Sequence, residues 1–392
     1  MRKTFLTILC ASLCLVAVAQ DISAILQSIE QNNLQLQAMR HDNAATMLDA
    51  EAGNSILGGT SVEYSPFYRK GVSGMESSEL IVSQEVTFPS AHIAQKRHNN
   101  AMQQVLDIEY QILRRDILLS AEDLCYDLMY ALGTQQLLAW RFNVADSLLS
   151  AYTRRLDLGD ATILDVNRIR MDRMSLLTDV AQCNAQVQAL HIQLQALNGG
   201  VDVDDSPLLT CSGINATSVL SPSLSEATAR IVPLSSQLAQ AVSQAQDQEI
   251  SVARNGFMPN LTIGYRRNTE LREVSNGFLV GVSVPLFANG KKVRAARLRQ
   301  SAAQDQLQNV QVEAESNIKS LQAEVSQFQS SLDAFDLSLM NHTLSLLRQA
   351  LLAGQISVIE YYTEADQIYD RMLQYLDLRT RLLKAKARLR TL

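Results

Sequence analysis

The chain is short of helix breakers and of aromatic residues. It has 7 prolines and 16 glycines in 392 residues, and Phe, Trp and Tyr together make up 5%. So few turn residues argue against an all-β fold and for long helices. A basic surplus is also missing. Lys+Arg 34 against Asp+Glu 40 gives a formal net charge of −6, which argues against nucleic-acid binding. A hydrophobic content of 47% excludes a disordered chain. After residue 20 no stretch approaches the roughly 18 apolar residues a membrane helix needs, so any passage through lipid must be made by β-strands. His41, His92, His98, His191 and His342 stand at no metal-ligand spacing with Cys or acids. No phosphate loop, nucleophile elbow or catalytic dyad is visible, so neither enzyme chemistry nor a cofactor or metal is expected.

The first residues read as a targeting segment. Arg2 and Lys3 precede an apolar run from Phe5 to Ala19, and Ala17-Val18-Ala19 has the form of a signal-peptidase site. Residues 1–19 are thus expected to be removed, with Cys10 and Cys14. Neither cysteine follows a lipoprotein pattern, so no lipid anchor is expected. Cys125, Cys183 and Cys211 remain, an odd and widely spaced set that makes no disulfide framework.

Proline is absent between residues 90 and 206 and after 285, and glycine is nearly so. Two very long helical tracts follow. Ile117, Ala121, Leu124, Leu128, Ala131, Gln135, Leu138, Phe142, Ala145, Leu149, Tyr152 and Leu156 keep a 4,3 spacing with one polar break. Leu176, Val180, Cys183, Val187, Leu190, Leu194 and Leu197 continue it. Val325, Phe328, Leu332, Phe335, Leu339, His342 and Leu346 repeat it. These are heptad seams, on which Cys183 and His342 are expected as packed residues. Gly159 and Gly354 divide the tracts, each supplying the left-handed residue that lets a helix end and the chain reverse. The run Arg379, Arg381, Lys384, Lys386, Arg388, Arg390 reads as a solvated helix face.

The chain is written twice. Residues 54–64 match 255–265, Val86-Thr87-Phe88-Pro89 matches Val284-Pro285-Leu286-Phe287, and Leu158 to Asp165 matches Ala353 to Glu360. The first repeat is expected over 20–200, with strands at about 58–68 and 79–89, a long helix at about 91–158 and a returning helix at about 161–198. A linker follows at 201–223. The second repeat covers 224–392, with strands at about 258–268 and 277–287, a long helix at about 290–353 and a returning helix at about 356–391.

The strands alternate. Phe278, Val280, Val282, Val284 and Leu286 share one face, and Gly281 and Ser283 lie on the other. Tyr64, Phe67, Tyr68, Phe88, Tyr265, Phe278 and Phe287 read as lying at strand ends, where an interfacial girdle would be. A soluble antiparallel sheet or a membrane barrel fits this alternation. Four strands cannot close a barrel, so if they span lipid, several chains must share one. The tract 91–158 would be roughly 100 Å long at 1.5 Å per residue.

Taken together, the duplicated unit, the Phe257-Met258-Pro259-Asn260-Leu261 strand entry, the exit Val284 to Lys292 and the two glycine tips resemble the TolC-type outer-membrane efflux family over about residues 21–392. The resemblance implies a mainly α fold with a β-barrel part. Three copies would form a twelve-stranded barrel in the outer membrane of a Gram-negative bacterium, continued by a periplasmic α-helical coiled-coil barrel. It implies partners: a periplasmic adaptor and an inner-membrane pump of RND, ABC or MFS type, with substrates passing out through the duct. Leu158, Gly159, Asp160, Ala353, Gly354 and Gln355 would be the adaptor-docking tips. Glu360, Thr363 and Asp165 would line the pore entrance, with Asp165 and Glu360 two turns inside their tips. Glu364 and Asp366 are weaker candidates. Glu63, Ser83, Glu85 and Arg266 would face the barrel lumen. Thr363 stands where relatives often have a second aspartate. The rival reading is a secreted or periplasmic coiled-coil scaffold with a small soluble sheet; a second, within transport, is export of polypeptides.

Overall fold

A computed structural model describes residues 22–71, 74–204, 208, 212, 233–270, 273–284 and 289–391. The expected leader, most of the 201–223 linker, Cys211 and Pro285 to Ala288 lie outside them. The described residues are mostly helical with one small antiparallel sheet. In order run α1 (22–32), α2 (Leu34–Gly53), β1 (Leu57–Phe67), β2 (Ser77–Val86), α3 (Pro89–Leu158), α4 (Ile163–Leu197), α5 (Leu234–Asn255), β3 (Asn260–Glu270), β4 (Glu273–Ser283), α6 (Asn289–Asp333), α7 (Leu337–Leu352) and α8 (Val358–Thr391). No helix among the described residues is long and apolar enough to cross a membrane.

Three element boundaries depart from the sequence reading. The strand expected over 79–89 ends at Val86, because Pro89 opens α3. Proline suits a first helical position, where its missing N–H has no partner to lose. The strand expected over 277–287 occupies Glu273–Ser283 instead. The helix expected over 290–353 is interrupted after Asp333 and restarts at Leu337. There the Asp336 carboxylate accepts from the Leu339 N–H at 2.9 Å as a new N-cap, which holds its pKa below the usual range, and Phe335 packs edge-on against Tyr375. By contrast, α3 in the first repeat runs 70 residues without a break.

The chain forms two compact units. One draws on Met1–Gln37, Leu113–Ile231 and Ser316–Leu392. Its main core joins Leu137, Val144, Leu148 and Tyr152 of α3, Val166 and Ile169 of α4, Leu344 and Leu351 of α7, and Tyr361, Tyr362, Ala365, Tyr369 and Met372 of α8. A second seam packs Leu138 and Ala145 of α3 on Leu176 and Cys183 of α4. Each fully buried Leu- or Ile-sized side chain contributes about 1.5–3 kcal/mol. The seam expected through Val325 to Leu346 holds as far as Phe335, which packs on Tyr375. Beyond the interruption Leu344 and Leu351 face the core, and Leu339, His342 and Leu346 are exposed. The break shifts the helical register, which a continuous heptad count cannot see.

The basic run near the C-terminus is a solvated face only in part: Arg381, Arg388 and Arg390 are exposed, Lys384 and Lys386 are half-buried and Arg379 is buried, and several of these residues pair with α3. Arg390 donates to both Glu122 oxygens at 2.8 and 2.7 Å, Arg388 reaches Asp123 at 3.2 Å and Lys384 binds both Asp127 oxygens at 2.7 Å. Tyr126 also donates to the buried Glu122, at 2.6 Å. A buried carboxylate requires such pairing. Nearby, burial and the Glu122 charge push the Cys125 thiol up to about 12, so it is an inert packed residue. Gly133 lies inside α3 because a Cβ there would meet the Ser212 carbonyl oxygen at 2.6 Å.

The other unit draws on Ala38–Ile112 and Val232–Glu315 and holds the sheet, ordered β1-β2-β3-β4 and antiparallel throughout. Its helices pack through Val105, Ala241 and Ala245.

Candidate functional site

The sheet has two unlike faces, and the register assigns every residue to one of them. Glu63 pairs with Ile81, Ile81 with Arg266 and Arg266 with Gly277; Ser83 pairs with Gly264 and Glu85 with Thr262. Directly opposed residues share a face, so Glu63, Ser83, Glu85 and Arg266 stand together on one side. Glu79 joins them and ion-pairs with Arg266; sequence reasoning missed it, because only the β2–β3 register puts the two in reach. Asn260 donates to Glu85 at 2.8 Å. On the opposite face are Val62, Tyr64, Val82, Ile263, Tyr265, Phe278, Val280 and Val282, together with the polar Gln84, Arg267 and Asn276. Most are exposed, Phe278 at 93% and Val280 at 74%. The aromatics do not all mark strand ends: Tyr265 and Phe278 form one pair at mid-strand, and Phe67 falls on the polar face. Among the described residues β1 and β4 each present an unpaired edge.

In the other unit the two helix reversals are built alike. At the first, the Gly159 N–H donates to Leu156 and the Asp160 N–H to Arg155; at the second, Gly354 donates to Leu351 and Gln355 to Ala350. Gly159 has φ +83 and Gly354 φ +71, which side chains rarely adopt. Leu158, Gly159, Asp160, Ala353, Gly354 and Gln355 are all exposed. The structure brings the two turns together, since the Arg155 guanidinium donates to the Leu352 carbonyl oxygen.

Asp165 and Glu360 lie in the first turn of their helices, not two turns in, and both are occupied as caps. Asp165 accepts from the Thr162 N–H at 3.0 Å while Thr162 Oγ1 accepts from the Asp165 N–H at 3.2 Å, a reciprocal capping box. Glu360 and Ser357 repeat it at 2.8 and 3.2 Å. The Ser357 backbone N–H, and next its hydroxyl, hold the Glu360 carboxyl below its usual range, so it stays ionised. Thr363 donates its hydroxyl to the Ile359 carbonyl at 2.9 Å.

A half-buried polar tie links the helices behind these turns. Arg141 of α3 donates to Asp366 of α8 at 2.8 Å, lies 3.7 Å from Asp172 of α4, and stacks over the Tyr369 ring at 4.2 Å. Trp140 meets Tyr369 edge-on at 5.8 Å. Burial, opposed by Arg141, raises the Asp172 carboxyl above its ordinary value. The Tyr362 hydroxyl is buried without a well-formed hydrogen bond, and burial together with the Asp172 charge pushes its pKa up. The sequence holds the signal for this tie. Arg141 interrupts the stripe Leu137, Val144, Leu148; Asp172 sits between Ile169 and Leu176; Asp366 sits between Tyr362 and Tyr369. Three charges at seam positions ask for partners on other helices.

No protein-family model matches the chain, and no curated protein matches it. Solved structures do. A membrane protein from Pseudomonas aeruginosa aligns with TM-score 0.75 at 15% identity, covering 95% of this chain and 93% of the other. The outer membrane protein VceC from Vibrio cholerae gives 0.68 at 16%, covering 95% of each. The Campylobacter jejuni CmeC outer membrane channel gives 0.70 at 12%, covering 95% and 86%. The chain has the fold of these membrane proteins, and the resemblance to TolC-type proteins read from the sequence holds at the level of the fold.

Proposed function

We propose that three copies of this chain form a passive exit duct in the outer membrane of a Gram-negative bacterium. The observation that carries this is the sheet: one face mainly apolar and exposed, with Gln84, Arg267 and Asn276 among its polar members, the other mainly polar and charged, with both edges unpaired among the described residues and too few strands to close. In water such a face and such edges would aggregate. In lipid they require closure, and three copies give twelve strands with the apolar face outward. Glu63, Ser83, Glu85 and Arg266 would then line the lumen.

The remaining parts follow the same reading. Residues 1–19 direct export, and the helices continue the duct into the periplasm. A periplasmic adaptor docks on the exposed turns at Leu158 to Asp160 and Ala353 to Gln355. An inner-membrane pump delivers the substrate and supplies the energy. Glu360, Thr363 and Asp165 stand at the entrance, where three-fold symmetry would gather the ionised Glu360 carboxylates. The chain performs no chemistry itself.

Expression with its own leader, followed by fractionation, tests this. The mature chain should need detergent for extraction, run as a heat-resistant trimer and give steps of current in a planar bilayer. A water-soluble monomer that leaves the bilayer silent would instead support the coiled-coil scaffold. Deleting the gene and scoring drug and metal sensitivity against secreted proteins separates small-molecule efflux from polypeptide export.

A further inference from the structure

One end of the sheet is bordered by basic side chains that the fold leaves unpaired. Leu57 pairs with Val86, Val86 with Leu261 and Asn260 with Ser283, so the strands meet α2, α3, α5 and α6 at one end. There Ser90 donates to Asn255 at 2.7 Å and Gln300 to Asp247 at 2.6 Å, which ties α3 and α6 to α5. Ile56, Ile93, Phe257 and Met258 carry exposed apolar surface past the strand ends. Beyond them the charge on two helices is of one sign. Over 289–299, α6 holds Lys291, Lys292, Arg294, Arg297 and Arg299, all exposed, and no acid. Over 89–99, α3 adds the exposed Lys96 and Arg97, again with no acid. Among the described residues no ion pair engages any of these side chains. The acids at this end are Asp49 and Glu51 of α2 and Asp247 and Glu249 of α5; Gln300 occupies Asp247, and Glu249 faces His98 at 3.7 Å. Helix formation does not account for the basic residues. Cations are disfavoured near a helix N-terminus. α4 and α8 place Asp165 and Glu360 in their first turns, where α6 places Lys291 and Lys292. At the other end of the sheet charge is mixed, with Arg69 paired to Glu76 and Glu270 opposite Glu273.

We propose that this basic band binds the phosphate head groups of anionic glycerophospholipids, in the leaflet at which the sheet ends. Two observations select a lipid surface over a single anion or an acidic protein. The band adjoins, within one compact unit, the exposed and mainly apolar sheet face, so a membrane that covers the face brings its head groups to the band. Its charges are also strung out along the helix. At 1.5 Å per residue Lys291 to Arg299 spans about 12 Å, which matches a head-group layer and the roughly 8 Å over which its surface potential reaches at physiological salt. This rests on the proposed passage of the strands through lipid and names the lipid class met at its periplasmic boundary.

The test titrates the full mature chain, extracted in detergent, with dioctanoyl phosphatidylglycerol and with dioctanoyl phosphatidylcholine, and counts bound lipids by native mass spectrometry. A Lys or Arg beside an anionic surface strengthens binding about fivefold. Phosphatidylglycerol should therefore bind at least about tenfold more tightly than phosphatidylcholine. The variant Lys291→Gln, Lys292→Gln, Arg294→Gln, Arg297→Gln, Arg299→Gln should lose that preference, because it removes the charges and keeps helix-forming side chains at exposed positions. Arg69→Gln with Lys70→Gln, at the other end of the sheet, should keep it. The comparison of the two lipids on the unaltered chain stands even if the five-residue variant does not assemble. A multimer that binds both lipids equally, a preference that survives in the five-residue variant or falls as far in the Arg69 and Lys70 variant, or displacement of the lipid by equimolar glycerol 3-phosphate overturns the inference and leaves the duct standing. A water-soluble monomer that leaves the bilayer silent overturns both.

Discussion

Replacing Arg141 with methionine should loosen the three-helix tie by about 3 kcal/mol. Methionine keeps most of the stem volume, so packing changes little, but the charge is lost. Breaking a buried pair costs roughly 3–5 kcal/mol when the partner is left charged and dry. Two features lower that figure. Asp366 has a half-exposed side chain (43%), so water screens it. Asp172 has a raised pKa and can take up a proton, which limits its cost as an orphan. Losing the stack over Tyr369 adds about 1 kcal/mol. Trp140 is the only tryptophan and touches Tyr369, so its emission reports the tie directly. With a guanidinium slope of about 5 kcal/mol/M for a chain of this size, the emission midpoint should fall by about 0.6 M. Arg154→Met, at an exposed position on the same helix, should shift it by less than about 0.1 M. Adding Asp366→Asn to Arg141→Met should recover part of the loss, because it removes the orphan charge. A midpoint for Arg141→Met equal to that of Arg154→Met would refute the idea that the tie bears load.

Three further outcomes are expected. Asp172→Asn should flatten part of the pH dependence of that midpoint: a carboxyl raised in the folded state binds its proton more tightly there, so its contribution falls as pH rises from the ordinary aspartate value through the raised one, and the variant lacks that slope. Gly133→Ala should cost about 1–3 kcal/mol in the same titration, because its Cβ meets a backbone carbonyl that cannot rotate away. Gly159→Leu with Gly354→Leu should abolish export while leaving the protein multimeric in the membrane; there is open space at both glycines, so the strain is confined to the two turns, at about 1–2 kcal/mol each. Unchanged export in that double variant would count against docking at the tips.

Much of this molecule is local, and local information is legible in a chain. Missing prolines set the helical tracts, Gly159 and Gly354 set their reversals, and alternation along 278–284 assigns apolar and polar residues to opposite faces. Each depends on neighbours a few residues away, through φ limits and fixed helical or pleated periods. Relations between distant segments were not legible. The Asp336 cap that interrupts the second long helix competes with a heptad pattern that reads straight through it. The pairing of Glu122, Asp123 and Asp127 with the C-terminal basic run, of Glu79 with Arg266, and of Arg141 with Asp172 and Asp366 depends on how helices and strands far apart in the chain are set in register. Sequence determines which charges exist and where along the chain; only packing decides which of them meet, because the energy of an ion pair depends on a distance in space that no periodicity encodes.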